Sequence, residues 1–163
     1  MKSQVATASR VISAPVQIIY NIIADYRNSH PAILPKPYFL SLVVEEGGVG
    51  EGTIVRFQMH ILGQTQSFRA LITEPEPGRV LQETDMDTHV PTTFTVLPLG
   101  HESHTKVTIR TELKNRGFVE GQVAKLLLQN IYVKELRLLA EIAENSKEPT
   151  SPSEKNTFSR SSQ

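Results

Sequence analysis

The chain has 163 residues, 39% of them hydrophobic, with 17 basic residues against 17 acidic ones and no cysteine. That length supports one domain with a sizeable core; a net charge of zero leaves no basic excess to hold a polyanion, which argues against nucleic acid as a partner, and the lack of cysteine excludes disulfides, thiolate metal sites and cysteine nucleophiles. No apolar run approaches the roughly eighteen residues of a membrane span, and Ser9, Arg10 and Ser13 interrupt the N-terminus before a signal-peptide core can form, so a cytoplasmic protein without membrane insertion is expected.

From Val5 to Ser13 the side chains alternate at the strand period, with Val5, Thr7, Ser9 and Val11 on one side and Ala6, Ala8, Arg10 and Ile12 on the other. Pro15 has no N–H to give a ladder but fits the first turn of a helix, and Val16, Ile19, Tyr20 and Ile23 then recur at helical spacing up to Asp25. Pro31, Pro35 and Pro37 break the stretch from Asn28 to Pro37, leaving room for a broken second helix or a helical turn around Ala32 to Leu34 but for nothing regular. Six short runs follow, Tyr38–Glu46, Thr53–Leu62, Gln66–Thr73, Arg79–Met86, Thr92–Pro98 and Lys106–Leu113, rich in β-branched and aromatic residues and bounded by turn residues. In the second of these Val55, Phe57, Met59 and Ile61 alternate with Arg56, Gln58 and His60, the pattern of a sheet with one apolar and one wet face.

The last element is a long helix from Phe118 to Glu144. Ala124, Leu127, Leu128, Ile131, Leu138, Leu139 and Ile142 project to one side, and Gln129, Asn130, Arg137 and Glu141 to the other. The apolar side needs a cover, and the strand meander is the one available. Glu135 lies inside that apolar face, between Ile131 and Leu138, where an ionised carboxylate loses hydration and must pair, stay protonated or face a wet cavity. Arg56, Arg69 and Arg110 are its candidate partners, although alternation turns Arg56 and Arg110 outward. Residues 145–163 are mostly Ser, Lys, Glu, Pro and Thr, and disorder is expected there.

The order strand, two helical pieces, six strands, long helix resembles that of the START-like (SRPBCC) helix-grip superfamily, in particular its polyketide cyclase/dehydrase-like branch. The pieces that carry the resemblance are the Ala14-Pro15-Val16 helix start, the glycine-rich Glu46 to Thr53 hairpin, Phe94-Thr95-Val96-Leu97-Pro98 with the strand from Thr105, and the Leu-rich terminal helix. It spans nearly all of residues 1–144, which read as one α+β helix-grip domain. Where many relatives carry a Trp after the first helix, this chain offers Ile33 and Leu34.

The resemblance implies a seven-stranded curved antiparallel sheet gripping the terminal helix around a hydrophobic tunnel. Residues placed to wall it are Phe57, Met59, Phe68, Phe94 and Val96 on strands and Leu127, Leu128, Ile131 and Tyr132 on the helix, with Val55, Ala70, Val107 and Ile109 as further candidates. The resemblance also puts His30 and Tyr38 near the cavity entrance, so both join Glu135 as candidate polar contacts for a ligand. Binding of a small hydrophobic or amphipathic molecule is the expected function. A polyketide cyclase or dehydratase using Glu135, His30 and Arg69 as acid and base groups is a second reading, and an interaction domain without ligand a third; a homodimer is open. No cofactor motif supports any of them, no convergent catalytic set is visible, and no metal is expected.

Other motifs are weaker. Gly47 to Gly52 lacks a Lys-Ser/Thr ending and carries Glu51, so it reads as a hairpin and not as a phosphate loop. Asp85, Asp87 and His89 recur at spacing two without a scaffold to hold a metal, and His101 and His104 are three apart in a glycine-led turn, not four apart on a helix.

Overall fold

Side-chain alternation decides the sheet. In the computed structural model, which describes residues 3–114 and 117–146, strands β1 (Gln4–Ile12), β2 (Phe39–Glu46), β3 (Ile54–Ile61), β4 (Gln64–Glu76), β5 (Val80–Asp85), β6 (Pro91–Leu99) and β7 (His101–Leu113) form one antiparallel sheet. Its order is β1-β7-β6-β5-β4-β3-β2, so the meander from β2 to β7 is closed at one edge by the first strand. On β3 Val55, Phe57 and Met59 are buried while Arg56, Gln58 and His60 are exposed, and β7 buries Val107 and Ile109 the same way. With two helices, α1 (Val16–Ala24) and α2 (Phe118–Asn145), this is the expected α+β helix-grip fold.

The differences from the sequence reading lie at element ends. β4 and β7 run further than the apolar alternation does, because the ladder pairs backbone groups whatever the side chains are: Ile61 pairs with Gln64 and His60 with Thr65. The turn at Gly100 is correspondingly tight, and His101 already belongs to β7. Between α1 and β2 a single 3-10 turn spans His30–Ile33, two residues earlier than expected, since Pro31 occupies its first turn. The tail expected to be disordered falls, apart from Asn145 and Ser146, outside the described residues.

Because β1 and β2 lie at opposite edges, α1 and the 3-10 turn must carry the chain across the width of the sheet. The end of α1 is fastened by the β2–β3 hairpin. Tyr26 N–H donates to the Gly48 carbonyl at 2.9 Å, Gly50 N–H donates to the Ala24 carbonyl at 3.0 Å, and Thr53 Oγ1 accepts from Gly48 N–H at 3.0 Å. Gly48 sits at φ 138°, and a Cβ there would lie 1.9 Å from Arg27 Nε. The arm of Arg27 folds over this glycine to donate to the Gly47 carbonyl. Only glycine suits a position that combines this conformation with so close a neighbour.

Helix α2 packs along β1 and against α1 and the 3-10 turn. Its second half is locked down: Leu136, Leu139, Ala140 and Ala143 are almost completely buried. At its end Ser13 N–H donates to Glu144 Oε1 at 3.2 Å. Its first half is different, with Ala124, Leu127 and Leu128 only half-buried and Val119, Val123 and Leu126 exposed. No helix among the described residues is long and apolar enough to cross a membrane.

Replacing Gly48 by Ala is expected to cost about 1–3 kcal/mol in urea unfolding, through backbone strain and displacement of Arg27. Gly52→Ala is the control, since its φ is also positive but a Cβ there meets nothing within 4 Å. Equal losses in the two variants would show that the hairpin clamp contributes nothing beyond backbone strain.

Candidate functional site

The half-supported start of α2 arches over the sheet and leaves a cavity of about 660 Å³. Phe57 and Met59 of β3, Phe68 and Ala70 of β4 and Phe94 of β6 form its floor. Ala124, Leu127, Leu128 and Ile131 of α2 form its roof, and Leu34 after the 3-10 turn closes one side. Leu62, in the turn between β3 and β4, stands at the rim together with Val119 and Val123 of α2.

Into this apolar surface runs one polar row. Cross-strand register sets Glu83 of β5 opposite Thr92 of β6, and Thr92 opposite Thr111 of β7. Thr92 Oγ1 and Thr111 Oγ1 are 2.7 Å apart, and Thr111 Oγ1 is 2.5 Å from the Tyr132 hydroxyl of α2. Every one of these hydroxyls has a partner, which is what burial requires. Glu135 lies one helical turn beyond Ile131, is 4% exposed and lines the same cavity.

Behind the row stands an aromatic stack. Tyr26 donates from its hydroxyl to Glu83 Oε1 at 2.6 Å, and its ring stacks on His30 with centroids 4.2 Å apart. His30 is fully buried, with Phe94 edge-on at 6.0 Å. Its Nδ1 lies 2.7 Å from the Ile23 carbonyl. A carbonyl only accepts, so Nδ1 carries the hydrogen, and Nε2 presents its lone pair toward Glu83 Oε1, 3.5 Å away.

Burial governs the acidities. It pushes Glu135 well above the usual carboxylate range, and the nearby Glu83 pushes it the same way. It raises Glu83 to about 7, against a smaller opposing effect of the Tyr26 hydrogen bond. It lowers His30 to about 4, partly offset by the bond to Ile23, and raises the Tyr132 hydroxyl to about 12. With His30 neutral at neutral pH, its contact with Glu83 is a lone pair facing a carboxyl and not an ion pair. The cavity thus holds two carboxyl groups whose protonated forms burial favours, with a neutral imidazole behind them.

Of the residues singled out in the sequence, Phe57, Met59, Phe68, Phe94, Leu127, Leu128, Ile131, Tyr132 and Glu135 are brought together on the cavity wall. Val55, Val96, Val107 and Ile109 are buried in the core beside it. His30 does not stand at an entrance: the stack with Tyr26 and Phe94 seals it behind the wall. Tyr38 is also off the wall, its hydroxyl accepting from Asn130 Nδ2 at 3.0 Å and Lys134 Nζ at 3.3 Å on the flank of α2. Arg69 is no partner for Glu135, because it shares Glu45 with Arg56 on the opposite face of the sheet, at 2.6 and 2.7 Å. Asp85 Oδ1 is occupied in its own turn by the N–H groups of Asp87 and Thr88 and by the Thr88 hydroxyl. Among the described residues no cluster of His, Asp and Glu is placed to hold a metal.

Sequence reasoning missed Glu83 and the Tyr26 hydroxyl. A signal for Glu83 was present, since alternation with buried Leu81 places it on the inner face of β5. Tyr26 carried none, because nothing local ties the segment after α1 to β5.

Fold and cavity together define a helix-grip protein with a largely apolar cavity between sheet and helix. The family model described as polyketide cyclase / dehydrase and lipid transport matches residues 3–144, and the chain belongs to that family. Among solved structures it is similar to the KanY protein, at 24% identity over 88% of this chain and 99% of that one, TM-score 0.77. It is also similar to a START superfamily protein from Mycobacterium smegmatis, at 16% identity over 90% and 100% of the two chains, TM-score 0.71. An aromatase/cyclase from a Streptomyces species follows at 15% identity over 88% and 95%, TM-score 0.68. At these identities the likeness establishes the fold alone. No curated protein sequence matches the chain significantly.

The raised pKa of Glu83 makes stability depend on pH. Between its ordinary value of 4.5 and about 7 the folded state holds a proton that the unfolded state has lost, so this group lowers stability as pH rises through that window. His30, lowered from 6.5 to about 4, acts oppositely and costs stability as pH falls through its own window. Glu83→Gln removes only the first contribution. Its unfolding free energy relative to the unsubstituted protein is expected to climb across that window, by up to about 1.4 kcal/mol per pH unit. Urea titrations at several pH values measure this, and a difference independent of pH would contradict the assignment.

Proposed function

We propose that this protein binds a hydrophobic or amphipathic small molecule between the sheet and α2. The observation that carries the reading is the cavity itself: about 660 Å³, within the roughly 300–1,000 Å³ of small-molecule sites, apolar on most sides and crossed by a few polar groups. An interior filled to ordinary packing density leaves no such space.

Magnitudes say what the polar groups are for. Burying about 300 Å² of apolar ligand surface supplies about 7 kcal/mol, and association costs about 4 kcal/mol or more. The remainder of about 3 kcal/mol corresponds to millimolar affinity or weaker. Useful retention therefore needs either a larger ligand or a polar anchor, and Glu135 is a buried acid on the cavity lining with no hydrogen-bond or ion-pair partner among the described residues.

A second reading rests on the same carboxyl. A carboxylic acid kept protonated in an apolar site donates a hydrogen bond or a proton to a carbonyl, as a polyketide cyclase or dehydratase requires. In that reading Glu135 is the acid and Glu83 receives a proton. Turnover of a poly-β-ketone that collapses in Glu135→Gln while the fold persists would favour catalysis over carriage.

Binding of a neutral apolar fluorescent probe tests the primary reading. Ala124→Trp places an indole under the roof at a half-buried position, and is expected to weaken the probe by at least about tenfold while leaving the circular dichroism spectrum unchanged. Native mass spectrometry of the purified protein would identify the class of any retained molecule. Probe affinity unaffected by the blocker would move binding to some other surface.

A further inference from the structure

The ionisable carboxyl and amine groups on the described lining of the cavity are acidic with one exception. Glu83 and Asp85 enter it from β5, Glu120 and Glu135 from α2, and Lys114, just after β7, is the one cationic side chain on its described lining. The arginines of neighbouring strands are turned away: Arg56 and Arg69 are held by Glu45, and Arg110 lies 3.8 Å from Glu112. His30, behind Glu83, has its one N–H committed to the Ile23 carbonyl.

Glu135 is the telling group. It is 4% exposed and lines the cavity, and it has no hydrogen-bond or ion-pair partner among the described residues. The titratable groups facing it are Glu83 from β5, Tyr26 from the segment after α1, and Tyr132 on its own helix, none of them cationic. A buried carboxyl without a protein partner is costly to keep, and a complementary ligand removes that cost.

Resting on the ligand-binding reading above, we propose that the cavity selects amphiphiles with a basic nitrogen, the ammonium seating against Glu135 and Glu83 and the hydrocarbon lying between Phe57, Phe94 and Leu128. A carboxylate ligand would bring one more negative charge beside two carboxyls, and must take up a proton before it can enter. An alcohol is tolerated but gains only a neutral hydrogen bond. An ammonium forms charge-assisted hydrogen bonds, which are about twice as strong. The amine arrives already protonated, and any proton that burial keeps on Glu135 leaves for the buffer as the carboxyl ionises to receive the ammonium. Binding of the amine therefore strengthens as pH rises, until the amine itself loses its proton.

The test uses the full chain and three probes of equal length, decylamine, decanol and decanoate, by titration calorimetry at about pH 7.5, where both the amine and the acid are ionised in water. Decylamine is expected to bind at least about tenfold more tightly than decanol, with decanoate weakest. Paired buffers of different ionisation enthalpy should report proton release with decylamine and none with decanol. Glu135→Gln should cut the amine's lead over the alcohol to about twofold or less and abolish the proton release. Glu83→Gln, on the sheet instead of the helix, should reduce the same lead. Decanol or decanoate binding as tightly as decylamine overturns the charge inference and leaves the cavity reading intact, as does a lead that both variants preserve. Failure of all three probes to bind overturns the cavity reading and this inference together.

Discussion

The structure depends on the way α2 is held at one end. Leu136, Leu139, Ala140 and Ala143 press its second half into the core, and the two alanines let the helix come close to the elements beneath it. Its first half has no such seat. There Ala124, Leu127 and Leu128 are only half-buried and line the cavity, with Leu127 and Leu128 packing partly against the core. A helix secured along its whole length would have closed the interior, and one secured nowhere would have collapsed onto the sheet.

The opposite wall is set by the crossing from β1 to β2. Because those strands occupy opposite edges, α1 and the 3-10 turn must span the sheet, and the β2–β3 hairpin fixes where they end. Gly48 and Gly50 bring that hairpin within hydrogen-bonding distance of Tyr26 and Ala24. The Tyr26 hydroxyl and the His30 ring are thereby delivered behind Glu83. Local backbone geometry in a hairpin, tens of residues away in sequence, thus helps to place the groups behind Glu83, while burial sets the acidities.

That character is what a packed core would avoid. Glu83 and Glu135 are destabilising to the fold at neutral pH, since burial opposes their ionisation. Two apolar residues at these positions would remove the penalty. Keeping acidic groups on the wall of a cavity makes physical sense if something from outside meets them there, and the family to which the chain belongs, described in terms of polyketide cyclases, dehydrases and lipid transport, supplies that expectation.

Much of this was legible in the chain itself. Alternation of Val55, Phe57 and Met59 against Arg56, Gln58 and His60 specifies an inner and an outer face, because the strand period is two whatever the context. Helical spacing of Leu127, Leu128, Ile131 and Leu139 specifies the buried side of α2, and marks Glu135 as an acid on the wrong face. These are local regularities, and local periodicity is what a sequence records. What only the tertiary structure decided is which residues meet: that His30 stacks on Tyr26 behind the wall, that Tyr38 binds the flank of the helix, that Arg69 goes to Glu45, and that Glu83 and Glu135 share a cavity. Such pairings depend on strand register, on the crossing of α1 and on how far α2 stands off the sheet. All three are balances of packing between elements distant along the chain, and no stretch of neighbouring residues encodes them.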